Sequence, residues 1–154
     1  RICIEWLVKH PHGKMVIESG IAQSGVIDRI EESGLGDRMV LVNPGGPPVG
    51  DPEQFADRRS ELYYYFKERV KNGTIAVAER SSPLGGQITS IRAKVRGDMK
   101  FQIESKKEMA GHGMASPDDA DSAMLTMAVA SEGEELIGDL SDMVAIGELP
   151  QPDW

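Results

Sequence analysis

A chain of 154 residues, 40% of them apolar, is enough for one domain with a sizeable core and too short for two ordinary ones. A single cysteine, Cys3, excludes an internal disulfide, and three histidines give no Cys/His zinc spacing, so any metal would be held by oxygen. The net charge of -8 argues at first against nucleic acid, yet residues 1–107 hold all 17 Lys and Arg against 14 acids, while residues 108–154 hold 11 acids and no Lys or Arg.

In chain order, Arg1 to His10 has the mixed apolar pattern of a helix end, broken by Pro11-His12-Gly13. Lys14-Met15-Val16-Ile17-Glu18 is a short apolar run of the kind found in buried parallel strands, with Glu18 at its C-terminal end. Ser24 to Ser33 has helical spacing and stops at Gly34; Arg38 to Asn43, with Met39, Val40, Leu41 and Val42, is a second strand. The βαβ order predicts a parallel pair. Asp51-Pro52-Glu53 predicts a helix from about Pro52 to Lys71 with Phe55, Leu62, Tyr65, Phe66 and Val70 on its apolar face. Thr74 to Val77 reads as a strand and Leu84 to Ser90 as a helix turn or a bent strand. Ile91 to Val95 and Lys100 to Glu104 alternate with period two around Gly97-Asp98, which predicts a hairpin. Ser116-Pro117-Asp118 caps a final helix, and an acidic tail occupies 131–154. No apolar run is long enough to span a membrane and no signal peptide is present, so the expectation is a soluble, intracellular, non-secreted protein.

Three constellations could carry chemistry. Glu18 ends a strand, where ligands gather in α/β domains, although an edge glutamate can simply face water or cap the next helix. Asp118 and Asp121 lie three apart and offer two carboxylates to one point; helix-dipole stabilisation explains Asp118 and Asp119 equally well, but less readily Asp121, which sits deeper among apolar residues. Basic residues concentrate at Arg92, Lys94, Arg96, Lys100, Lys106 and Lys107, against only Asp98 and Glu104, as a phosphate-contacting face or a solvated hairpin would require. The glycines around Ser19 to Gly25 do not form a nucleotide-binding loop, because no Lys-Ser/Thr follows.

Four stretches resemble the nuclease domain of bacteriophage large terminases: Gly20-Ile21-Ala22-Gln23-Ser24-Gly25; Val42-Asn43-Pro44-Gly45-Gly46-Pro47 with Arg58-Arg59-Ser60-Glu61-Leu62-Tyr63; Lys71-Asn72-Gly73-Thr74-Ile75; and Glu104-Ser105-Lys106-Lys107 with Ser116-Pro117-Asp118-Asp119-Ala120-Asp121. The resemblance implies an RNase H-like α/β fold, a mixed sheet flanked by helices with a β-hairpin near 91–104. It implies two-metal hydrolysis of double-stranded DNA with Mg²⁺ or Mn²⁺, held by Glu18, Asp118 and Asp121, with Lys106 supporting phosphate or a carboxylate. It further implies a first strand upstream of Arg1 that brings another metal-binding aspartate, so that residues 1–130 are an incomplete nuclease domain whose own activity is weak or lost. An upstream ATPase domain, the portal and the small terminase would be partners in packaging concatemeric DNA in the host cytoplasm. Two other readings compete: another RNase H-like nuclease such as a resolvase or transposase core, and a non-catalytic α/β binding module in which the three acids are capping and surface residues.

Overall fold

The computed structural model describes residues 2–20, 25–75 and 83–131. The first element is a helix, α1 (Ile2–Lys9), with Leu7 fully buried. Its C-terminal carbonyls are closed from another part of the chain. The Arg38 guanidinium donates from Nη1 to Leu7 O at 2.8 Å and from Nε to Gly13 O at 3.0 Å, and Nη2 reaches His10 O. A planar cation suits the negative end of a helix, where the last carbonyls lack partners.

β1 (Met15–Glu18) and β2 (Met39–Val42) pair in parallel, from Met15 opposite Met39 to Glu18 opposite Val42. The crossover is α2 (Val26–Glu32) and a 3-10 turn at Gly36–Arg38, the predicted βαβ order. Gly34 stops α2 at φ +76°, and the Leu35 N–H donates across it to Ile30 O at 3.2 Å. Side chains alternate along the pair. Met15 and Ile17 join one core with Leu7, Ile27 and Ile30; Val16, Val40 and Val42 join the other. Glu18, two residues after Val16, shares its face of the sheet.

The next helix, α3, spans Arg58–Lys71 and starts six residues later than the sequence pattern predicts. Asp51 closes a side-chain turn instead, its Oδ1 accepting from the Glu53 and Gln54 N–H groups at 3.2 and 3.0 Å. The chain then runs beside the hairpin, with Phe101 N–H donating to Gln54 O at 2.8 Å and Ala56 N–H to Phe101 O at 3.0 Å. Asp-Pro-Glu serves a turn as well as a helix start, and the backbone pairing with Phe101 decides between them. Asp57 is the N-cap, accepting from Ser60 N–H at 2.8 Å. Leu62 and Phe66 are buried as predicted; Val70 is exposed, and Tyr63 takes its place in the core.

Thr74 and Ile75 form a bend, and the remainder of the predicted strand, Ala76-Val77, lies outside the described residues. Leu84–Ser90 is a helix, α4. The hairpin is present as β3 (Ala93–Val95) and β4 (Phe101–Ile103), antiparallel, with Ala93 opposite Ile103. Its turn places Met99 at φ +66°. Then come α5 (Lys106–Gly111), opened by a Ser105/Glu108 capping box, α6 (Asp118–Leu125) and α7 (Met127–Ser131). Ser116 does not cap α6: its Oγ donates to Asp118 Oδ1 at 2.6 Å, while Gln87 Oε1 of α4 accepts from Ala120 N–H at 2.9 Å. α6 lies against α3, α4 and β1. No helix among the described residues is long and apolar enough to cross a membrane. The acidic segment from 132 onward lies outside the described residues.

Candidate active site

Asp121 stands in the first turn of α6 and is the centre of the best-defined polar cluster near β1. Its Oδ1 accepts three hydrogen bonds: from Tyr63 Oη at 2.8 Å, Arg59 Nη2 at 3.1 Å and Arg59 Nε at 3.3 Å. Its Oδ2 meets Lys106 Nζ at 3.1 Å. Arg59 is itself tied down, donating from Nη1 to Glu104 O at 2.8 Å and lying 5.0 Å over the Tyr63 ring. Two further helices therefore reach the carboxylate carried by α6: α3 through Arg59 and Tyr63, and α5 through Lys106, while Glu104, just after β4, holds Arg59 in place.

The electrostatics follow from this packing. Burial alone would raise the pKa of Asp121, but the Arg59 charge and the hydrogen bonds from Tyr63, Lys106 and Arg59 outweigh it and hold the acid below the usual carboxylate range. Burial, then the adjacent carboxylate, push the Tyr63 phenol well up. Asp121 is thus kept as an anion and Tyr63 as a proton donor.

Asp118 and Asp121 are brought to the same ammonium, with Lys106 Nζ 3.9 Å from Asp118 Oδ1. They are not equivalent: the Asp118 side chain is 80% exposed and that of Asp121 17%. Glu18 is exposed at the end of β1, opposite Val42, which shares a core with Tyr63. Among the described residues no three His, Cys, Asp or Glu side chains converge as a metal cluster.

The basic residues divide into several settings. Arg92, Lys94 and Arg96 line an exposed hairpin strand. Lys94 pairs with Glu108 at 2.5 Å, Arg96 with Asp98 at 3.5 Å, and Lys100 Nζ donates to Pro52 O at 2.7 Å. Lys107 is exposed at the start of α5, one residue after Lys106. Beneath the hairpin, His112 Nε2 meets Glu104 Oε2 at 2.7 Å, and the Arg92 N–H donates to Glu104 Oε1 at 2.7 Å. Burial would raise the Glu104 pKa; His112 and the Arg92 N–H lower it on balance.

Sequence reasoning gave Arg59 and Tyr63 no part in the site. Arg59 lies 62 positions from Asp121 and Tyr63 58, so no local pattern links them. The one available signal was spacing: Arg59 and Tyr63 are four apart and share a helix face.

No protein-family model matches the chain, and no curated protein matches it by sequence. Solved structures do. The nuclease domain of the large terminase subunit gp2 of bacterial virus Sf6 is similar over 80% of this chain and 68% of that one, with 18% identity and a TM-score of 0.63. A mutant of that domain with manganese gives 18% identity, 80% and 69% coverage and a TM-score of 0.64. A mutant form with calcium gives 18% identity, 80% and 68% coverage and a TM-score of 0.63. The likeness is one of fold: over 80% of its length this chain shares the α/β fold of that nuclease domain.

Proposed function

We propose that this domain is a metal-dependent DNA endonuclease, the cutting module of a phage terminase large subunit that acts on concatemeric viral DNA during packaging. The observation that carries the reading is Asp121, a part-buried carboxylate held ionised at the start of a helix packed on β1, in a fold shared with a terminase nuclease domain. Asp118 joins it from the same turn through Lys106. Glu18 is assigned by its face of the sheet and its place at the carboxyl end of β1, where α/β domains collect ligands.

The donor chemistry suits a hard divalent ion such as Mg²⁺ or Mn²⁺. It is all oxygen, with one acid kept charged and an ammonium already placed beside two carboxylates. Glu18, Asp118 and Asp121 would hold the metal, with a further aspartate expected from an upstream strand. Bound ions, two by the family resemblance, would supply water activation and neutralisation of phosphate charge. The chain's own residues have separate tasks. Asp121 would offer Oδ2 to the ion, and Lys106 balances charge beside it. Arg92, Lys94, Arg96, Lys100 and Lys107 offer a basic hairpin and helix start to the DNA backbone. The ATPase domain, portal and small terminase are the expected partners, and the host cytoplasm the setting. One observation favours a non-catalytic binding module instead: Arg59 and Lys106 already balance Asp121.

The two readings separate in a plasmid assay. The protein, extended upstream to supply the expected strand, should nick and linearise supercoiled DNA with Mn²⁺, and Glu18→Ala and Asp121→Ala should abolish this. Cutting that survives both changes makes the acids structural and leaves the binding module.

A further inference from the structure

We infer that Arg59 and Tyr63 are positioning residues for Asp121, which assign its two oxygens different tasks: Oδ1 is committed to the fold and Oδ2 alone is offered to a ligand. This rests on the nuclease reading above and says how that site is set.

The geometry of the clamp carries the inference. All three hydrogen bonds from α3 fall on Oδ1, at 2.8, 3.1 and 3.3 Å, and none on Oδ2. Among the described residues Oδ2 keeps a single partner, the 57% exposed Lys106 side chain. An aspartate carboxyl rotates about a broad, nearly two-fold torsion, so an unclamped acid would present either oxygen at several angles. The Arg59 fork and the Tyr63 hydroxyl remove that freedom. They are rigid in their turn: Arg59 spans Asp121, Glu104 O and the Tyr63 ring, and the Tyr63 side chain is anchored in the larger core. The chemistry also forces the direction of the bonds. A guanidinium has no acceptor and the phenol hydroxyl donates its one hydrogen to Oδ1, so both donate to the acid.

A clamp of this kind sets the metal affinity and reactivity of a carboxylate without touching substrate, an effect of roughly 10- to 100-fold for comparable supporting groups. Tyr63→Phe removes one hydroxyl and no packing volume; Arg59→Lys keeps the charge and loses the fork. Calorimetric titration with Mn²⁺ alone should show both variants binding about tenfold more weakly than the parent. In plasmid cleavage by the upstream-extended protein kcat should fall by a similar factor with KM for DNA unchanged, and the thermal midpoint of Tyr63→Phe should stay near that of the parent. Asp121→Ala serves as the reference. If it loses Mn²⁺ binding while Tyr63→Phe and Arg59→Lys bind as the parent does, the positioning role is overturned and the nuclease reading stands. If Asp121→Ala binds Mn²⁺ and cuts like the parent, the nuclease reading fails and takes the inference with it. A fall in thermal midpoint with unchanged Mn²⁺ affinity marks Arg59 and Tyr63 as structural only, which also overturns the inference.

Discussion

Glu61 has no exposed side-chain surface, yet it is a charged residue, set in the first turn of α3. Its carboxylate accepts the N–H groups of Val49, Gly50 and Asp51 at 2.9, 2.7 and 2.9 Å and pairs with Arg58 at 2.5 Å. Gly50 is required for this approach, since a Cβ there would stand 2.6 Å from Tyr65 Oη and 3.1 Å from Glu61 Oε1. Burial would raise the Glu61 pKa, but the Val49 N–H, Arg58 and the Asp51 and Gly50 N–H groups together lower it from 4.5. The fold therefore favours the ionised form. Its stabilising effect is fully present above about pH 4.5 and is lost as pH falls through the lower folded value. Replacing Glu61 with Gln should cost about 3–5 kcal/mol at pH 7, because it breaks a buried ion pair and removes the charge that three backbone N–H groups converge on. It should also flatten the loss of stability on acidification, which urea midpoints across pH 2 to 7 will measure. At this scale the sequence was partly legible. Asp121 stood out because an acid between the small apolar residues Ala120 and Ala123 needs a partner, although the structure sets it in the first turn of α6 and not deeper; Arg59, Tyr63 and the Glu61 cradle did not, because their partners come from distant segments.

The elements divide by how local their causes are. α2 and its Gly34 stop, the β1–β2 pair and the hairpin were readable from periodicity and turn residues, since each is specified by neighbours in the chain. The start of α3 was not: Phe101, some fifty positions away, draws residues 54–56 into backbone pairing and postpones the helix to the Asp57 cap. The hairpin turn differs from its expectation in a similar way. Gly97-Asp98 suggested where the chain reverses, but the left-handed position falls two residues later on Met99, whose side chain is 81% exposed. A side chain there carries backbone strain that glycine avoids, and little burial offsets it. Met99→Gly should raise stability by about 1 kcal/mol, seen as a higher denaturant midpoint with an unchanged slope. An unchanged or lower midpoint would mean that the turn is relaxed as it stands.

Across the whole molecule, the parallel pair separates two cores: α1 and α2 cover one face, and α3, α6 and α7 cover the other, beside the polar cluster of Asp121. That two-sided burial was legible in the continuous apolar runs of β1 and β2. The assignment of helices to faces was not, because several amphipathic helices can exchange places without changing any local pattern. The smaller core has few large side chains and would be the first to open, were it not for Arg38. Its guanidinium is held at the start of β2 while reaching the carbonyls of Leu7, His10 and Gly13. α1 therefore cannot fray alone; releasing it means breaking contacts to the β2 end of the crossover, so the two leave the native ensemble as one cooperative unit. Hydrogen exchange should read this directly. Amides in α1 should share the protection of β2, and Arg38→Gln should accelerate exchange in α1 by at least about tenfold, given about 1.5 kcal/mol or more for a charge-assisted hydrogen bond. The α3 amides should be unaffected, and equal acceleration in both helices would point instead to a single global opening.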